Sequence, residues 1–146
     1  MPDDKIFVDT NVFIYSYDVT AGEKHIAAGN IMQDLWNSGL GMTSTQVLQE
    51  FFVNVVNKIP KPINGRQARE IVHDLLKWQV VVNTGDTIIG AIDIHLKFGY
   101  SFWDSMIIEA AITGGAEFLM SEDLQDGQII GGVTIKNPFS LPPADR

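Results

Sequence analysis

Short apolar runs alternate along this chain with longer segments in which apolar residues recur at helical spacing. The runs are candidate strands, and the longer segments are candidate helices. Alternation of this kind is typical of an α/β protein with a mostly parallel sheet. The five candidate strands are residues 5–8, 41–43, 79–83, 117–121 and 133–136. The candidate helices between them are residues 25–37, 45–58, 64–77, 86–98 and 101–113.

The order of these elements raises a question of topology. Two candidate helices separate the second strand from the third, and two more separate the third from the fourth. A pair of helices that runs down and back would reverse the direction of the next strand. A parallel sheet therefore requires one helix of each pair to lie across the sheet edge, and periodicity does not say which one.

Composition restricts the class of protein. A chain of 146 residues is most simply one domain, here residues 1–146 with a core at about 5–138 and an irregular tail at 139–146 that contains Pro142 and Pro143. The absence of cysteine excludes disulfides, thiolate metal sites and cysteine nucleophiles. We find neither a signal peptide nor an apolar run long enough to span a membrane, and so expect a cytoplasmic protein.

Four acidic residues lie in or just after strongly apolar segments. They are Asp9, Glu50, Asp104 and Asp123. An unpaired carboxylate is costly to bury, so such residues usually cap a helix, pair with a cation or bind a metal. Asp9 and Asp123 follow candidate strands, and ligands bind at the carboxyl ends of parallel strands. If the four acids converge, they form a site for a divalent metal ion.

Each acid also has a simpler interpretation. Asp9 could cap the segment that follows it, although Thr10 or Asn11 would serve equally well. Asp104 fits a capping box that begins at Ser101, a role compatible with metal binding. Glu50 could belong to an exposed polar face of its helix.

Charge along the chain is uneven. The net charge of −8 argues against nucleic-acid binding through general basicity. Between positions 51 and 69, however, there is no acid, and four of the ten lysines and arginines fall there. We call this group the basic strip, and it is either solvated surface charge or a contact for RNA backbone: Lys58, Lys61, Arg66 and Arg69.

The acids and their neighbours resemble the four acidic motifs of PIN-domain ribonucleases. The matching motifs are residues 7–11 (FVDTN), Glu50 within its helix, residues 101–105 (SFWDS) and residues 120–123 (MSED). The resemblance extends from about Lys5 to Pro138, and the single-domain length further resembles VapC-type toxins of toxin–antitoxin pairs.

This resemblance implies a five-stranded parallel sheet between helices, which answers the question of topology. It also implies a metal-dependent endoribonuclease whose catalytic residues are the four acids, with Mg²⁺ or Mn²⁺ held by Asp9, Asp104 and Asp123. Thr10, Asn11 and Ser121 would support the acids through hydrogen bonds. The expected partners are the RNA substrate, a cognate antitoxin and a second copy of the chain in a homodimer. The surplus of apolar residues on the helix at 45–58 either favours such protein contacts or is enclosed by the helix at 64–77 and the sheet.

Three other functions compete with the nuclease. A response-regulator receiver would need paired acids after the first strand and a phosphate-accepting residue after the third, where position 83 is Asn. A haloacid-dehalogenase-like phosphatase also begins with a strand and an Asp-x-Asp motif, but position 11 is Asn in this chain. A non-catalytic interaction module could keep the same fold. Metal dependence distinguishes them, because only the nuclease predicts RNA cleavage that stops in EDTA and returns with Mg²⁺ or Mn²⁺.

Overall fold

A six-stranded sheet between helices forms the core of the protein. The computed structural model describes residues 4–140, so most of the predicted tail, including Pro142 and Pro143, lies outside the described residues. The strands are β1 (Ile6–Val8), β2 (Gly41–Ser44), β3 (Gln79–Val81), β4 (Phe118–Met120), β5 (Ile129–Ile130) and β6 (Val133–Lys136). The helices are α1 (Thr10–Tyr17), α2 (Glu23–Ser38), α3 (Thr45–Asn57), α4 (Gly65–Leu75), α5 (Gly85–Phe98) and α6 (Phe102–Thr113), with a 3-10 turn at Val19–Ala21.

The sheet has the strand order β3-β2-β1-β4-β6-β5. Every pairing is parallel except that of β5 with β6. The helix pairs between β2 and β3 and between β3 and β4 therefore keep the sheet direction, as the resemblance implied. The mostly parallel α/β fold is confirmed.

The expectation of five strands was one too few. The additional strand, β5, has only two residues and pairs antiparallel with β6, with Ile130 opposite Val133. Gly131 and Gly132 make the turn between them with φ of 57° and 84°, values that favour glycine. A two-residue strand is too short to show periodicity, so the Gly-Gly pair was its only local signal.

The central strands are buried because helices cover both faces of the sheet. Phe7, Val8, Met42, Leu119 and Ile135 are fully buried in the core. Strands buried on both faces read as continuous apolar runs, which is why these segments were recognisable in the sequence. Among the described residues, no helix is long and apolar enough to cross a membrane.

β1 and β4 lie next to each other in register, with Val8 opposite Met120. The residues that follow these two strands therefore emerge at the same edge of the sheet. Asp9 directly follows β1 and caps α1, and Ser121 directly follows β4. This edge is where the candidate site forms.

Candidate active site

All four predicted acids line one cavity at the carboxyl edge of the sheet. The cavity has a volume of about 200 Å³, and we call it the acid cavity. Asp9 and Asp123 reach it from the ends of β1 and β4, Glu50 from α3, and Asp104 from the first turn of α6. The remaining lining residues are Thr10, Asn11, Ile14, Gln46, Asn54, Trp103 and Ile107.

Asp9 is the most buried of the four acids, with 8% of its surface exposed. One carboxylate oxygen accepts a hydrogen bond from the backbone N–H of Thr10 (2.7 Å), so Asp9 does cap α1. The other oxygen accepts from the hydroxyl of Ser121 (2.9 Å). Capping and facing the cavity are therefore not exclusive roles for this residue.

Burial raises the pKa of Asp9 to about 6, from an ordinary value of 3.8. The hydrogen bonds from Thr10 and Ser121 oppose this rise, while the negative charges of Glu50 and Asp104 add to it. The carboxylate thus stays ionised at neutral pH at a cost to folding. A cation in the cavity would offset that cost.

Three predicted supporting residues each bind one acid. Besides the bond from Ser121 to Asp9, the hydroxyl of Thr10 donates to Oε1 of Glu50 at 2.8 Å. The amide Nδ2 of Asn11 donates to Oδ2 of Asp123 at 2.6 Å. A single turn of chain after β1 therefore orients two acids that lie far away in the sequence.

Asp104 occupies the first turn of α6, where Ser101 caps the helix by accepting from the Asp104 N–H at 3.1 Å. Burial raises the pKa of Asp104, and the charge of Asp123 raises it further, although a hydrogen bond with Ser101 lowers it. The predicted cap is therefore present, and it coexists with a carboxylate that faces the other acids.

Neighbouring acids after β4 have separate roles. Glu122 accepts a hydrogen bond from the Tyr15 hydroxyl (2.7 Å) and forms an ion pair with Lys24. Asp123 lines the acid cavity, whereas Glu122 does not. Tyr15 and Lys24 were not predicted, and their contacts anchor the loop that carries Asp123.

The polar face of α3 is not simply solvated, as the simpler interpretation of Glu50 supposed. Gln46, Glu50 and Asn54, spaced four residues apart, all line the acid cavity. Gln46 is only 6% exposed. Gln46, Asn54 and Trp103 were not predicted as site residues, although the four-residue spacing from Glu50 was a visible signal for the first two.

Within residues 4–140, no group of three or more His, Asp or Glu side chains is placed to hold one ion together. The carboxylates share a cavity without converging on a single point. A hard cation such as Mg²⁺ commonly takes one or two carboxylates and completes its shell with water. The oxygen-only donors therefore fit that mode of binding, although they do not form a closed cage.

The PIN-domain family model matches residues 6–125. The chain belongs to the PIN-domain family. The match includes all four acids and ends shortly before β5 and β6. Comparison with curated proteins gave no significant match.

Solved structures show the same PIN fold. The chain is similar to VapC20 of Mycobacterium tuberculosis, a sarcin–ricin loop cleaving toxin (21% identity, TM-score 0.60, covering 82% of this chain and 92% of that one). It is also similar to a toxin–antitoxin complex from Klebsiella pneumoniae (17%, TM-score 0.65, 94% and 100%). A third similar structure is DNA-bound VapBC from Salmonella typhimurium (17% identity, TM-score 0.64, covering 92% of this chain and 98% of that one). At these identities the likeness concerns the fold.

The basic strip of this PIN domain lies outside the acid cavity. All four of its residues are exposed, and none lines the cavity. Arg69 pairs with Glu70 at 3.0 Å on the surface of α4. The strip thus remains a candidate for contact with distant parts of a substrate.

Proposed function

We propose that this protein is a divalent-metal-dependent endoribonuclease that hydrolyses RNA phosphodiester bonds in the acid cavity. The observation that carries the proposal is the assembly of Asp9, Glu50, Asp104 and Asp123 around one cavity in a PIN domain. The solved relative described as a loop-cleaving toxin supports the same reaction class.

Asp9, Asp104 and Asp123 would share the binding of Mg²⁺ or Mn²⁺, with one or two of these carboxylates contacting the ion directly and the rest acting through bound water, and Glu50 would support them. The raised pKa of Asp9 supports this assignment, because a buried carboxylate beside other acids is stabilised by a bound cation. When bound, the cation lowers the pKa of a coordinated water and neutralises charge on the phosphate. Thr10, Asn11 and Ser121 keep the carboxylates oriented before substrate arrives.

A bound cation would also explain how an acidic protein acts on a polyanion. Four carboxylates alone would repel a phosphodiester, so substrate binding requires the cation. The basic strip adds a cation-independent contact with RNA backbone at a distance from the scissile bond. Affinity should therefore depend on divalent metal and, separately, on monovalent salt.

Asp9→Asn and Asp104→Asn test the assignment. Each replacement preserves the shape of the side chain and removes the charge that attracts a dication, so each should abolish most RNA cleavage in Mg²⁺. Asp34→Asn, at an exposed position of α2, is the matched control and should cleave normally. Cleavage that is insensitive to EDTA, or near-normal cleavage by either cavity variant, would contradict the proposal.

An apolar groove between α3 and α4 favours a protein partner. It has a volume of about 420 Å³, and Phe52 and Val53 of α3 line it together with Val72 of α4. Phe52 is 37% exposed and Val53 is 45% exposed, so the surplus of apolar residues on α3 is not enclosed by the fold. We propose that an antitoxin places an apolar segment in this groove, and solved toxin–antitoxin complexes of the same fold support this.

An antitoxin bound there could insert an arginine into the acid cavity, where a carboxylate would accept its paired hydrogen bonds. Replacing that arginine in the antitoxin should relieve inhibition more than it weakens binding. The homodimer also remains a proposal, and strictly monomeric scattering at micromolar concentration would contradict it.

A further inference from the structure

Trp103 is an exposed aromatic side chain that forms part of the acid cavity. Its surface is 63% exposed, compared with 43% for Trp36 and 9% for Trp78. The indole lies in the first turn of α6, packed edge-on against Phe102 at 5.1 Å between ring centroids. The next residue in the chain is Asp104, whose side chain lines the same cavity.

Gln46 contacts the backbone of Trp103. Its Nε2 donates a hydrogen bond to the Trp103 carbonyl oxygen at 3.2 Å. Its Oε1 is buried and has no hydrogen-bond partner in the described structure. A buried carbonyl without a partner costs free energy, and the bond from the Gln46 amide to Trp103 offsets part of that cost. The same bond ties α3 to the start of α6.

We propose that Trp103 is a stacking platform for a nucleobase next to the scissile phosphate, with Gln46 as its positioning residue. This inference rests on the proposed ribonuclease function and extends it to unpaired RNA as the substrate class. Single-stranded RNA is commonly bound through bases stacked on aromatic side chains, and indole provides a large flat face for this.

The position of the ring favours a base over a protein ligand. A phosphate held at the carboxylates leaves its own nucleoside within reach of a residue adjacent to Asp104. The apolar groove proposed for the antitoxin is lined by α3 and α4 and does not include Trp103. A base stacked there is available only when the RNA is unpaired, because duplex bases already stack on each other.

Tryptophan fluorescence isolates this contact, because a stacked base quenches an indole. The probe is an unpaired RNA hexamer mixed in Mg²⁺ with the protein whose four acids are intact, and the fluorescence is recorded by stopped flow before cleavage proceeds. In this background Trp36→Phe should keep the quenching and Trp103→Phe should lose most of it. Quenching that persists without Trp103 would overturn the proposal.

Binding of the same hexamer gives the second measurement. Trp103→Ala should weaken it by about 5- to 150-fold, the range for loss of one stacked base, and Trp103→Phe should weaken it less. The hexamer annealed to its complement should bind both proteins equally. Gln46→Met should weaken hexamer binding only when Trp103 is present, an effect that a general loss of stability would not produce.

Unchanged hexamer affinity in Trp103→Ala would overturn the stacking platform. If that variant instead altered only the oligomeric mass, Trp103 would be a protein contact and the proposal would fail. Failure of the ribonuclease function would appear separately, as the absence of metal-dependent cleavage by the unmodified chain.

Discussion

Asp9→Asn should stabilise the protein at neutral pH when no divalent cation is present. Asp9 is buried, with a pKa of about 6 in the folded state against an ordinary value of 3.8. Between these values the folded chain keeps a proton that the unfolded chain has released. The free energy of unfolding therefore falls as the pH rises from about 4 to 6, and the loss is complete above pH 6. Asparagine cannot ionise and avoids this loss.

The size of the expected stabilisation follows from the shift in the pKa of Asp9. A difference of about 2 pKa units corresponds to about 3 kcal/mol, the upper limit of the gain on removing the charge. Asparagine can still accept from the Thr10 N–H and donate to the Ser121 hydroxyl, and the pKa of about 6 already includes the stabilisation that these two bonds give the carboxylate. A gain of up to about 3 kcal/mol raises the Tm of a chain of this size by up to about 6–12 °C.

Thermal unfolding in EDTA between pH 3.5 and pH 8 measures this prediction. The difference in Tm should be largest above pH 6 and vanish near pH 4, whereas the exposed control Asp34→Asn should show neither effect. Adding Mg²⁺ at ten times its Kd should stabilise the native chain by about 1.4 kcal/mol and leave Asp9→Asn nearly unchanged. A variant less stable than the native chain at pH 7.5 in EDTA would refute the reasoning.

Two further changes test the core and the surface. Gly41→Ala should lower the free energy of unfolding by about 1–3 kcal/mol, because the added Cβ would lie 2.7 Å from the Trp78 ring. An unchanged midpoint of urea unfolding would contradict this close contact. Replacing all four residues of the basic strip with glutamine should reduce the log–log salt slope of RNA binding by up to about 3, since each contact contributes roughly 0.7. An unchanged slope would show that the strip is solvated surface charge.

Much of the fold was predictable because its central strands are buried on both faces. The segments around Phe7, Met42 and Leu119 are continuous apolar runs, and their order with the helices indicated a parallel sheet. The residues at which strands end were harder to predict, as the segment at 79–83 shows. β3 stops at Val81, and Val82 is 64% exposed. An apolar residue beyond a strand end looks in the sequence like a further strand residue.

The candidate site was predictable only in part. An acid beside an apolar run, such as Asp9, is visible in the sequence as a carboxylate that is costly to bury. Its immediate neighbours Thr10 and Asn11 are visible as well. The contacts of Gln46 with Trp103 and of Tyr15 with Glu122 join segments far apart in the chain. No local pattern encodes such pairs, because they depend on how helices settle against the sheet edge.

The acid cavity is completed by contacts between segments that lie far apart in the chain. The bonds from Ser121 to Asp9 and from Asn11 to Asp123 each join residues 112 positions apart. During synthesis, the acid cavity therefore remains incomplete until β4 has been made and has paired with β1. The proposed cleavage of RNA at this site therefore cannot begin before the chain has emerged from the ribosome at least as far as Asp123. That delay would leave time for the proposed antitoxin to meet the chain as the site first forms.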